Sequence, residues 1–78
     1  MEATLLGVQS LDFVANNGNK IEGTNVYCSY ADENVQGEKV AKFFLKKEIP
    51  LPKDLHLQGR VRLTFDMRGK VETISTLK

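Results

Sequence analysis

The chain has 78 residues, 41% of them apolar and 27% charged, and a formal net charge of +1. That length holds one small core and excludes two, because each half would fall below the size that folds unaided. Cys28 is the only cysteine and His56 the only histidine, which excludes an internal disulfide and leaves no Cys/His set for zinc.

Residues 1–78 are therefore expected to form a single domain. No apolar run is long enough to cross a bilayer, so a membrane partner is not expected. Met1-Glu2-Ala3-Thr4 carries an acid where a signal peptide needs bases. With one cysteine and no export signal, the expected setting is a reducing cytoplasm. The near-neutral total hides a sorted charge. Residues 1–38 hold Lys20 against six acids (1 − 6 = −5), and residues 39–78 hold ten bases against four acids (10 − 4 = +6).

Apolar residues recur with period two between Gly and Asn clusters, which predicts an all-β chain. The first strand, about Leu5 to Val14, has Leu6 and Val8 on one parity and Leu11 and Phe13 on the other, so a bulge is expected near Gln9-Ser10. Asn16-Asn17-Gly18-Asn19 closes a hairpin, because Asn and Gly tolerate positive φ. The second strand, Lys20 to Tyr30, puts Val26, Cys28 and Tyr30 inward and Asn25, Tyr27 and Ser29 outward, with Gly23 marking a bend. Ala31 to Glu38 reads as an acidic loop.

The third strand, Lys39 to Lys47, offers Ala41, Phe43 and Leu45 to the core and Val40, Lys42, Phe44 and Lys46 to the other face. Ile49-Pro50-Leu51-Pro52 is a rigid connection, since proline lacks the donor that a central strand needs. Lys53 to Gln58 has room for one helical turn. Arg60 to Phe65 alternates with Val61, Leu63 and Phe65 inward, and Lys70 to Thr76 carries Val71 and Ile74 at a spacing that predicts a bulge. Five such strands fit a small, partly open antiparallel barrel of the OB-like kind, with an SH3-like barrel as the alternative.

The chemistry of a catalyst is missing. Neither G-x-G-x-x-G nor G-x-x-x-x-G-K-[ST] occurs, and Cys28 and His56 have no identifiable orienting residue. Asp32, Glu33 and Glu38 lack the alternating ligands of a calcium loop. No enzyme activity, metal, cofactor or small-molecule substrate is expected.

Outward positions of three strands supply Tyr27, then Lys42, Phe44 and Lys46, then Arg60 and Arg62. Aromatic rings among cations suit single-stranded nucleic acid, whose unstacked bases lie on rings while cations meet the phosphates. Base preference should be weak. No recognition helix is available for a duplex groove. The other readings of the same residues are that Phe44 is core or lies in a dimer interface, that Tyr27 is an ordinary strand residue, and that the lysines only solubilise. A protein-interaction or assembly module is the alternative function.

With its Asn/Gly hairpin, Gly23-Thr24-Asn25-Val26-Tyr27 strand, Phe-rich third strand, proline connector and Leu57-Gln58-Gly59-Arg60-Val61 to Gly69-Lys70-Val71 hairpin, the chain resembles the gene V type of helix-destabilising protein. These are small single-stranded DNA-binding proteins of filamentous phages, with relatives in plasmids and conjugative elements. The resemblance implies an OB-type barrel, a two-fold homodimer, cooperative coating of single strands and no catalysis; the residues themselves leave RNA as the alternative ligand to single-stranded DNA. By position Tyr27 matches the family's binding aromatic, whereas Lys46 and Arg62 match only as bases on neighbouring strands. The family's binding hairpin is basic, but Asn16 to Gly23 here offers Lys20 alone and includes Glu22.

Overall fold

A computed structural model describes residues 1–77. Five strands run in chain order: β1 (Glu2–Val14), β2 (Lys20–Ala31), β3 (Glu38–Lys46), β4 (Arg60–Phe65) and β5 (Val71–Thr76). They form one antiparallel sheet in the order β3-β2-β1-β4-β5. β1 thus sits in the middle, paired to β2 on one edge and to β4 on the other. The sheet curls until β3 and β5 touch, yet no ladder joins them. The result is a partly open, OB-like barrel, and no helix occurs among the described residues.

Alternation explains which side chains fill it. Ala3 and Leu5, Val26 and Cys28, Leu45, Val61 and Leu63, then Val71 and Ile74 form the buried cluster, with Tyr30, Phe43, Ile49 and Leu55 packed against it. Each fully buried Leu or Val contributes about 1.5–3 kcal/mol relative to leaving it in water. At the open seam the rings of Phe43 and Phe65 approach to 5.7 Å between centroids at a tilt of 58°. This pair plugs the gap that hydrogen bonds leave. Phe65 faces inward as expected, but its seam position leaves it partly exposed.

The first hairpin turns where expected. Gly18 has a φ of 86°, its N–H donates to the Ala15 carbonyl at 2.9 Å, and the Asn17 side chain accepts from the Asn19 N–H at 3.1 Å. The bulge of β1, however, lies between Leu5 and Gly7 and not at Gln9-Ser10. The shift keeps Leu5 opposite Cys28 inside the barrel and turns Gly7 outward, opposite Tyr27. Leu11 and Phe13 then fall on the outward face, where the long hairpin has run past the core. The expected irregularity of the last strand is present, as a register shift between Thr64 and Phe65 against β5.

No helical turn forms at Lys53 to Gln58. Single turns close instead through Leu55 N–H to Pro52 O at 3.3 Å and Gly59 N–H to His56 O at 3.1 Å. A segment this short cannot offset the cost of helix nucleation. The Thr76 hydroxyl bonds the Asp54 carboxylate at 2.9 Å, and the Gln58 N–H donates to Leu5 O at 2.7 Å, which ties the connector to β5 and β1.

Candidate nucleic-acid interface

The register of β2 and β3 builds the outward face. Asn25 lies opposite Phe44, Tyr27 opposite Lys42, and Gly23 opposite Lys46. On the other side of β2, Gly7 lies opposite Tyr27 and Gln9 opposite Asn25. Tyr27, Lys42, Phe44 and Lys46 therefore share one patch.

Two glycines lie beneath its rings, and one of them, Gly23, is a close approach. A Cβ on Gly7 would stand 3.6 Å from Cδ2 of Tyr27, and one on Gly23 would stand 2.6 Å from Cζ of Phe44. The Phe44 ring therefore lies across Gly23, while the half-buried Tyr27 ring passes Gly7 at ordinary contact distance. The Tyr27 hydroxyl donates to Oε1 of Gln9 at 3.1 Å, and Nδ2 of Asn25 reaches the same oxygen at 3.4 Å. That shared acceptor fixes the Tyr27 ring and satisfies Asn25, which is buried beneath the patch. Phe44 remains 42% exposed. Lys42 and Lys46 flank it, both exposed, and among the described residues neither forms an ion pair.

Arg60 and Arg62 do not complete this patch. They share the outward side of the sheet, but β1 lies between β4 and β2, two strand spacings or roughly 10 Å away. Thr4 stands opposite Arg60 and Glu2 opposite Arg62. Arg60 accordingly donates to the Thr4 hydroxyl at 3.0 Å, while Arg62 pairs with Glu2 at 3.1 Å. The ion pair offsets the charge of Arg62.

A residue outside the expected set stands nearer. Lys70, with Gly69 and Val71, lines a groove of about 320 Å³ along the seam, whose opposite wall is Lys42, Phe43, Phe44 and Lys46. Three ammonium groups thus surround an apolar floor. The only sequence signal for Lys70 is its place at the start of the last strand; that this strand curls round to β3 is a tertiary fact.

The β1–β2 hairpin is electrostatically closed. Lys20 contacts Glu22 at 2.9 Å and Asp12 at 3.8 Å, and Lys47 contacts the second oxygen of Glu22 at 3.1 Å. The two ammonium groups hold the Glu22 carboxyl below its ordinary range, and Glu22 raises Lys20 above its own. Cys28 is wholly inside the barrel, where desolvation pushes the thiol up, while His56 is exposed in the connector. A buried, protonated thiol is a packing group.

No protein-family model, curated protein or solved structure matches this chain.

Proposed function

We propose that the outward face of β2 and β3 binds single-stranded DNA with little base preference and without catalysis. The observation that carries this reading is the Phe44 ring, seated over Gly23 and 42% exposed between Lys42 and Lys46, with the half-buried Tyr27 ring opposite Lys42; among the described residues neither lysine forms an ion pair. A base stacked on such a ring gains about 1–3 kcal/mol whatever its identity. The phosphates on either side meet Lys42 and Lys46, and Lys70 extends the track across the seam. In OB folds the same face and the loop between the last two strands are the usual place for oligonucleotides. Arg60 and Arg62 supply a separate, weaker contact, because Glu2 competes for one of them.

Titrating intrinsic or dye fluorescence with poly-dT, duplex DNA and single-stranded RNA at several salt concentrations tests the proposal. Three phosphate contacts on a single strand give a slope of log K against log salt of roughly −2. A flat dependence, or equal affinity for duplex, rejects it.

The second reading is an assembly module in which a partner chain covers Phe44, an exposed aromatic of the kind enriched in interfaces. Phe44→Ala separates the two. Lost DNA affinity in an unchanged oligomer supports stacking; a lost oligomer with intact DNA affinity supports assembly.

A further inference from the structure

β1 pairs with β4 only through Glu2, Ala3 and Thr4, and the connector extends that edge only as far as Leu5. From Leu6 to Val14, backbone hydrogen bonds among the described residues run to β2 alone. One edge of a nine-residue stretch is therefore open. Open edges usually carry lysines, prolines or short strands that discourage pairing. β3 follows that rule with Glu38, Lys39, Lys42 and Lys46, and β5 does so with six residues and Glu72. The free part of β1, Leu-Gly-Val-Gln-Ser-Leu-Asp-Phe-Val, has one charge and no lysine or proline. Val8 is 43% exposed, Phe13 50% and Val14 66%.

We infer that this edge pairs with the same edge of a second copy, strand to antiparallel strand. The segment is complementary to itself. Full overlap puts Ser10 on the two-fold axis, Leu6 opposite the partner's Val14, and Asp12 opposite the partner's Val8. Asp12 never meets its own copy, and Lys20 of the same chain, 3.8 Å away, tempers its charge. Backbone groups satisfy each other, and the exposed valines and leucine are covered. A small domain without disulfide or metal gains most from such association. The axis of an antiparallel pair is perpendicular to the sheet, so the outward faces of both copies lie on the same side. On the proposed DNA-binding reading, the two Tyr27–Phe44 patches then form one platform for a single longer strand.

The test needs no nucleic acid, so it stands apart from the fate of that reading. Light scattering behind size-exclusion chromatography should give twice the mass of one chain, and Ser10→Lys, which puts like charges on the axis, should return it to the mass of one while Ser10→Ala does not. Ser10 is exposed, so folding should survive. In the unmodified chain, amide exchange over residues 6–14 should slow as concentration rises, a readout independent of any variant. A one-chain mass up to millimolar concentration overturns the inference, as does a dimer indifferent to Ser10→Lys or exchange that ignores concentration.

Discussion

The Phe44 ring occupies the space that a side chain on Gly23 would need: a Cβ there would stand 2.6 Å from Cζ and 2.8 Å from Cε1 of the ring, and closer still to the Leu45 carbonyl oxygen. Gly23 is thus a seat for the aromatic and not merely a bend in β2. Gly23→Ala should lower stability by about 1–3 kcal/mol, the usual cost of overpacking. Adding Phe44→Ala should recover only part of that loss, because the contact with the Leu45 carbonyl remains. Urea denaturation of the two single variants and the double variant reads the coupling.

Stacking and phosphate contact should separate cleanly in variants of the outward face. Phe44→Ala should cost about 1–3 kcal/mol of poly-dT affinity and leave the salt slope unchanged. Lys46→Gln or Lys70→Gln should flatten the slope by about 0.7 each. Arg62→Gln should change it less, since Glu2 already holds that guanidinium at 3.1 Å. An Arg62 effect larger than that of Lys46 would move the track to β4.

Where the two faces of a strand meet different solvents, the sequence is sufficient to orient it. Val26, Cys28, Val61 and Leu63 alternate with polar neighbours and are all buried. The hairpin beyond Val8 has no such contrast. Leu11 and Phe13 look like core, but they lie on a ribbon that has left the barrel, and reading them as core places the bulge some four residues too late. Local alternation also carries no information on which strands become neighbours. Tyr27 and Lys42 are joined by a tight antiparallel pairing and can be grouped correctly. Arg60 is separated from them by β1, and Lys70 is brought near by closure of the seam.

The Lys20–Glu22–Lys47 cluster should leave a signature in pH. Because the folded Glu22 carboxyl titrates below its unfolded value, its contribution is complete above the unfolded value and fades as pH falls through the folded one. Lys20, raised in the folded state, contributes fully below its unfolded value and loses that contribution as pH climbs through the folded one. Thermal melts from pH 3 to 7 should show Glu22→Gln with a shallower acid-side loss than the unmodified chain. Both pairs are solvent-accessible, so added salt should shrink the difference.

Leu63 is fully buried at the centre of β4, opposite Ile74, and belongs to the same core cluster as Leu5 and Leu45. Leu63→Ala should cost about 2–5 kcal/mol, a large part of what a domain this small has in reserve. Circular dichroism at room temperature should show a substantial unfolded population. The same truncation at Leu57, which is exposed in the connector, should change stability by no more than about 0.5 kcal/mol.

Among the described residues Gln58 is the one non-glycine with a positive φ, 71°, at the point where the connector enters β4. Its N–H is committed to the Leu5 carbonyl at 2.7 Å, so the backbone cannot relax without giving up the bond that anchors the connector to β1. A left-handed conformation costs an ordinary residue roughly 1–2 kcal/mol, and glycine avoids that cost while losing about 0.5–1 kcal/mol through its freer unfolded chain. The difference favours glycine. Gln58→Gly should therefore raise the urea midpoint by the equivalent of about 0.5–1 kcal/mol with an unchanged m-value, whereas Gln58→Val, whose branched side chain tolerates this region least, should lower it.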